Sequence, residues 1–156
     1  MPIPDVIDLF LATAAAQPSH LALSVHDETL TYAAFEDRVR RYAGAFTRRD
    51  SAGVLVALPQ GPDAYAAMLG AGLAGCYYAP LNVQIPLEKQ KHIVGLMQPD
   101  WIVAEAALAA QLIPEAPGAS GTSCSANADS ATIQSGCISP AMRFCFSSGT
   151  WTLSGA

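Results

Sequence analysis

The front of the chain alternates between helix-like and strand-like hydrophobic patterns. Apolar residues at helical spacing predict a helix over Asp5–Ala16, which the stretch "QPSH" ends. Leu21–His26 and Thr29–Thr31 flank an acidic turn and predict two short strands in a hairpin. From Tyr32 onward the apolar period is helical again and the charged residues fall on the other side, which predicts a surface helix.

The next segment consists of short apolar runs separated by helical stretches. Residues 53–59, "GVLVALP", form a continuous apolar run that is typical of a strand buried on both faces. A helix is predicted after it, with Pro62 at its first position and Asp63 near the positive end of its dipole. The following runs "CYYAPL", "PLEKQKHIVGLM" and "PDWIVAE" predict a strand, a helix and a strand. Such alternation requires parallel βαβ units with right-handed crossovers, so the predicted fold class is α/β.

Beyond about Leu112 the periodic pattern ends. Residues 114–141 are rich in Ser, Ala and Gly and follow neither a helical nor a strand period, which predicts a long loop or a disordered segment. The run "MRFCF" then predicts one more strand, which leads directly into "SSGT". We therefore divide the chain into an α/β domain over 1–113, a low-complexity segment over 114–141 and a strand with its following loop over 142–156.

The segment "SSGT" carries the candidate binding residues Ser147, Ser148, Gly149 and Thr150. Hydroxyl groups beside a glycine suit a loop that surrounds phosphate oxygens, because glycine lets the backbone N–H groups approach closely. An ordinary polar turn after a strand accounts for the same four residues. The choice between these interpretations depends on the rest of the chain.

Composition narrows the possible partners. The 156 residues are 51% hydrophobic and 13% charged, which is enough apolar surface for one packed domain. A formal net charge of −5 argues against a nucleic-acid partner. The uncharged run 64–87 contains Pro80, Asn82, Gln84 and Pro86, which argues against a membrane span. Since no basic residue precedes Arg38 in the amino-terminal stretch, we expect a cytoplasmic location.

The sequence contains no catalytic or metal-binding set that we can identify. Its four cysteines lack the short spacings of zinc sites, and its three histidines are scattered; these residues are Cys76, Cys124, Cys137, Cys145, His20, His26 and His92. A Walker-type phosphate loop is also missing. We therefore expect no catalytic residue and no metal site in this chain.

Four segments taken together resemble one family. They are "LTYAAF" at 30–35, "AGCYYAPLN" at 74–82, "IPLEKQKHIVGLMQPDWIVAE" at 85–105 and "FSSGT" at 146–150. Their order is similar to that at the front of adenylate-forming, or AMP-binding, enzymes, which include acyl-CoA synthetases and the adenylation domains of nonribosomal peptide synthetases. The resemblance implies the N-terminal subdomain of such an enzyme, with ATP and Mg²⁺ as cofactors. It also implies a carboxylic or amino acid substrate and an acceptor that is coenzyme A or a carrier protein.

The sequence departs from the family pattern after Thr150. The family continues with Thr-Gly-x-Pro-Lys-Gly, whereas this chain has Trp151 and then "TLSGA", so the lysine that meets phosphate charge is missing. We expect a truncated ligase-like protein that is inactive by itself, and a shifted reading frame in a longer gene would explain such a tail. The alternative is a non-catalytic α/β interaction module that self-associates through exposed apolar surface.

Overall fold

The computed structural model describes residues 5–46, 52–123, 134–136, 143–147 and 150–154, with side chains described as far as Ala119. The helices are α1 Val6–Ala16, α2 Tyr32–Ala45, α3 Pro62–Leu73, α4 Leu87–Met97 and α5 Ala106–Leu112, followed by a 3₁₀ turn at Ile113–Glu115. The strands are β1 Leu21–Val25, β2 Glu28–Thr31, β3 Gly53–Ala57, β4 Tyr77–Pro80, β5 Trp101–Ala104, β6 Ser120–Ser123, β7 Gln134–Gly136, β8 Arg143–Ser147 and β9 Thr150–Ser154.

The front of the chain folds as the hydrophobic pattern predicts. Helix α1 leads into an antiparallel hairpin in which Val25 pairs with Glu28. Helix α2 begins directly after the hairpin, because the Thr31 hydroxyl accepts a hydrogen bond from the Ala34 N–H at 3.3 Å and caps the first turn. Its buried residues, Phe35, Val39, Tyr42 and Ala45, recur at helical spacing.

A five-stranded sheet forms the centre of the molecule, in the order β4-β3-β5-β6-β7. The first four strands run parallel, and β7 pairs with β6 antiparallel. The prediction of parallel βαβ units is therefore confirmed. Helices α3, α4 and α5 each connect two parallel strands, as crossovers of this kind require.

Alternate residues of the central strands face two different cores. Val54 and Val56 of β3 pack with residues of α2 and α3. Leu55 and Ala57, one position along, pack with residues of α4 and α5. All five residues of β3 are buried, which is why its sequence is apolar throughout and not alternating. The domain thus has three layers, with the sheet between two layers of helices.

Strand β4 lies at the edge of the sheet. The Tyr77 N–H donates a hydrogen bond to Ala52 O, directly before β3, at 3.1 Å. The Leu81 N–H, directly after β4, donates to Val56 O of β3 at 2.8 Å. The backbone N–H and C=O groups of successive residues in a strand point to opposite sides, so the nitrogen of Pro80 faces the open edge. Proline has no N–H group and cannot donate a hydrogen bond there. The open edge of β4 therefore lacks one donor.

The carboxyl-terminal part differs from the sequence-based expectation. Strands β6 and β7 lie within residues 114–141, for which the sequence predicts a loop or disorder. Each of them gains backbone hydrogen bonds from a neighbouring strand, and Ser, Gly and Thr residues give no hydrophobic period that would predict this. Residues 124–133 and 137–142 lie outside the described residues, so the proposed boundaries stay predictions. Among the described helices, none is long and apolar enough to span a membrane.

Candidate functional site

The candidate phosphate-binding segment lies at the end of a hairpin. Strand β8 ends at Ser147 and β9 begins at Thr150, and these two residues pair across the hairpin. Ser148 and Gly149, the other two candidates, lie outside the described residues. The structure therefore brings Ser147 and Thr150 opposite each other, at one end of a two-stranded antiparallel sheet.

The sequence pattern places Trp151 in the loop that follows the last predicted strand. In the structure Trp151 lies in a strand of its own. It lies in β9 and pairs with Phe146 of β8, while Leu153 pairs with Phe144. Apolar residues occupy every second position of both strands, and this alternation in the sequence is typical of a strand. This pattern explains why the sequence after Thr150 forms a strand.

A second candidate region lies at the carboxyl ends of the parallel strands. The chain leaves β3 toward the helix layer that contains α2 and α3, and it leaves β5 toward the layer that contains α4 and α5. Parallel α/β sheets bind ligands at the point where consecutive connections go to opposite faces. Here a cavity of about 100 Å³ lies at this point, lined by residues 58–64 and Glu105.

The electrostatics of this cavity are set by carboxylates. Asp63, in the first turn of α3 as predicted, and Glu105 both line it. The Arg38 guanidinium lies 3.4 Å from the Asp63 carboxylate and 2.8 Å from Glu28, so it joins α2, α3 and the β1–β2 hairpin. Asp63 is 42% exposed, so solvent screens this ion pair and it contributes little stability. The positive dipole end of α3 is thus already offset by Asp63.

The other charged residues of α2 and α4 form surface features. Arg40 and Arg41 of α2 pair with Glu36 and Asp37 at i,i+4 spacing, which agrees with a solvated helix face. A wider, open hollow of about 390 Å³ lies on α4, where its lining includes Glu88, Lys91, His92, Gly95, Leu96 and Glu115. His92 is exposed, as predicted for a histidine without a ligand partner.

Cysteine and metal chemistry find little support in the described part of the chain. No group of three His, Cys, Asp or Glu side chains within it could hold a metal ion. Cys76 is a buried free thiol. Burial raises the pKa of the Cys76 thiol, with a smaller contribution from the negative charge of Asp100. A thiol with a raised pKa is a poor nucleophile at neutral pH, so Cys76 belongs to the core.

Comparison with known sequences agrees with the fold and with three of the four sequence segments, whereas "FSSGT" at 146–150 lies beyond the matched residues. The sequence pattern of the family described as "AMP-binding enzyme" matches residues 10–140. The chain belongs to the AMP-binding enzyme family. This match spans more than the α/β domain and includes the segment in which β6 and β7 lie.

Relatives within the AMP-binding family are much longer than this chain. A D-alanine–D-alanyl carrier protein ligase of Staphylococcus haemolyticus is 30% identical over 98 residues, which cover 63% of this chain and 20% of that ligase. A dimodular nonribosomal peptide synthase of Bacillus subtilis is 27% identical over 108 residues, which cover 67% of this chain and 4% of that synthase. The chain thus spans about a fifth or less of these relatives.

A solved structure supports the fold independently. MatB from Rhodopseudomonas palustris with ATP bound superposes with a TM-score of 0.66 and 20% sequence identity, over 75% of this chain and 25% of MatB. The fold is therefore that of the N-terminal subdomain of AMP-binding enzymes. Sequence reasoning missed the cavity at residues 58–64, because no local pattern in the sequence shows strand order or crossover direction.

Proposed function

We propose that this chain provides the first part of an adenylate-forming ligase, which activates a carboxylic or amino acid with ATP. In this reaction a carboxylate oxygen attacks the α-phosphorus of ATP, the bond to pyrophosphate breaks, and an acyl adenylate and pyrophosphate result. The thiol of coenzyme A or of a carrier protein then displaces AMP. The observation that carries the proposal is the family match over residues 10–140, joined to a parallel sheet of the same architecture.

The proposed contacts to ATP come from Ser147, Ser148, Gly149 and Thr150. The serine and threonine hydroxyls would donate hydrogen bonds to phosphate oxygens, and the backbone N–H groups around glycine would do the same. Because Ser147 and Thr150 pair across the hairpin, they fix the ends of this short segment. This support is geometric and concerns the backbone alone.

Magnesium and the remaining catalytic groups have to come from elsewhere. The described residues hold no cluster that fits a metal ion. Stabilising the charge that develops on transferred phosphate requires positioned cations and donors. We therefore propose that the chain by itself binds ATP weakly and does not complete adenylation.

Nuclear magnetic resonance (NMR) of the ¹⁵N-labelled full chain tests this assignment. We expect ATP to shift the amide signals of residues 147–150, whereas adenosine, which lacks phosphates, leaves them in place. The combined variant Ser147→Ala, Ser148→Ala and Thr150→Val removes the three hydroxyls. We expect this variant to lose most of the ATP-dependent shift.

The β1–β2 hairpin supplies a matched control. Ser24→Ala with Thr29→Val makes the same kinds of change in exposed residues of a similar hairpin, and the ATP response should persist. Shifts that are equally large with adenosine, or that survive loss of the three hydroxyls, would contradict phosphate binding by this segment.

Exposed apolar residues favour a second candidate function, that of a non-catalytic interaction module. Among the residues whose side chains are described, seven large hydrophobic ones are exposed: Val6, Leu9, Leu21, Tyr77, Tyr78, Ile93 and Leu96. Exposed apolar surface of this kind promotes binding to partners or to further copies of the chain. In this case the hairpin at 143–154 would be a structural element without a ligand.

A further inference from the structure

Gln90 of α4 has an unusual position for an amide side chain, because only 4% of the residue is exposed. Its Nε2 group donates one hydrogen bond to Val83 O at 3.1 Å and another to Ile85 O at 2.7 Å. Its Oε1 atom is buried and accepts no hydrogen bond from the described residues. Turning the amide over would place Oε1 against two carbonyl oxygens, so the assignment of nitrogen and oxygen is fixed by these contacts.

A buried amide oxygen without a donor is rare in folded proteins, because burial removes the water that would otherwise bond to it. Val83, Ile85 and Val94 belong to the apolar core on this side of the sheet, and no described residue donates a hydrogen bond to Gln90 Oε1. The donor to Oε1 is then a small molecule enclosed in the fold or a residue outside the described ranges. Water is the commonest molecule that fills this role in proteins.

We propose that one internal water molecule binds between Gln90 and the loop after β4. The two polar atoms of an amide lie about 2.2 Å apart. Since Ile85 O is 2.7 Å from Nε2, it lies within about 5 Å of Oε1, a distance that two hydrogen bonds to one water molecule can span. The water would donate one hydrogen to Oε1 and the other to the second lone pair of Ile85 O or Val83 O.

The proposed water site holds the loop that joins β4 to α4. This loop follows the carboxyl end of β4, the end of a parallel strand at which such folds bind ligands. Within it, the Asn82 side chain accepts a hydrogen bond from the Gln84 N–H at 2.9 Å. Gln90 of α4 thus holds the loop through two direct hydrogen bonds and one proposed water-mediated hydrogen bond.

Water–protein NMR cross-peaks on the full chain test the proposal. A water that stays bound longer than the protein takes to tumble gives cross-peaks of opposite sign in NOE and ROE spectra. We expect such peaks between water and the carbon-bound hydrogens of Gln90, which do not exchange with solvent. Gln98 is the matched control: its Nε2 also donates to two carbonyls, Gly95 O and Glu115 O at 2.9 Å, but the residue is exposed.

The cross-peaks at Gln90, compared with those at Gln98, decide whether the water site exists. Long-lived cross-peaks at Gln90 but not at Gln98 support the water site, and Gln90→Met, which has a similar size and no amide, should abolish them. Cross-peaks at Gln90 that match those at Gln98, or none at all, would overturn the proposal. The decision comes from the wild-type chain, so it holds even if the Gln90→Met variant does not fold.

Discussion

At the scale of single residues, close contacts around Gly53 show how the amino end of the sheet is held. The Gly53 N–H donates to the Asp100 carboxylate at 2.8 Å, and the Asp100 N–H donates to Gly53 O at 2.9 Å. A Cβ atom on residue 53 would lie 2.5 Å from the Tyr77 hydroxyl oxygen. The half-exposed Tyr77 therefore covers Gly53, and a larger residue at position 53 would have to displace the tyrosine ring.

Cys76 makes a pH-dependent contribution to stability at this same end of the sheet. Burial holds the pKa of its thiol above the ordinary value of 9.0, so above that pH the unfolded chain loses this proton before the folded chain does. Stability from this group is present below pH 9.0 and is lost as the pH rises through the folded-state pKa. We expect the free energy of unfolding of wild type, relative to Cys76→Ala, to fall as the pH rises above 9.0.

Denaturant unfolding of both proteins under reducing conditions, from neutral pH upward, measures this difference. The other cysteines are present in both proteins, so their titration cancels when the two curves are subtracted. A difference that stays constant across the whole pH range would show that the Cys76 thiol titrates alike in the folded and unfolded chain.

At the scale of helices and strands, the tight packing of α2 against α3 depends on a glycine in α3. A Cβ atom on Gly70 would lie 2.7 Å from Tyr42 Cβ, 2.9 Å from Val39 O and 3.0 Å from the Ala43 nitrogen. Two of these atoms belong to the backbone of α2 and cannot rotate away. The two helices can therefore approach each other this closely only with glycine at position 70.

We expect Gly70→Ala to lower the free energy of unfolding by about 1–3 kcal/mol, because the helices must separate to make room. Gly95→Ala in α4 is the control, since open space surrounds its Cβ position. It should be neutral or stabilise by up to about 1 kcal/mol, because alanine favours helix. Urea unfolding monitored by circular dichroism compares the two, and equal effects would contradict the packing argument.

Elements with a strong hydrophobic period could be predicted from the sequence, and elements without one could not. The continuous apolar run of β3 reflects burial of the strand on both faces. The helical spacing of apolar residues in α2 reflects burial of one helix face. Both patterns therefore predict the structure directly. Helix α5 is only two turns long and rich in alanine, while β6 consists of Ser, Gly and Thr. These two elements form because neighbouring strands and helices are already in place.

The two candidate sites differ in the same way in how far the sequence could predict them. The candidate segment "SSGT" could be proposed from its composition and its place after an apolar run, because its four residues are consecutive. The cavity lined by Asp63 and Glu105 could not be found, because these residues lie 42 positions apart. Only the order of the strands brings them to one edge of the sheet.

At the scale of the whole molecule, apolar side chains remain exposed on several elements. Leu9 lies on α1, Leu21 on β1 and Leu96 on α4, and each is more than half exposed. Single exposed apolar residues are common, but seven large ones within the described residues favour association between copies. These residues belong to separate elements of the chain.

We expect the full chain to self-associate with rising concentration, and sedimentation velocity measures the weight-average sedimentation coefficient that reports it. Replacing two exposed leucines, in Leu9→Lys with Leu96→Lys, should shift the chain toward monomer because it removes apolar surface and adds charge. Thr29→Lys adds a charge at an exposed position without removing apolar surface, and should change little. A wild-type chain that is monomeric at every concentration would rule out self-association.

Pro80 limits the form that such association takes. Fibrils grow when strands of successive molecules join through a continuous ladder of backbone hydrogen bonds, and each molecule has to offer an open strand to the next. At the β4 edge the missing donor of Pro80 interrupts that ladder after a few residues. Pairing of an added strand with this edge should therefore be less stable than pairing with an edge that offers every donor.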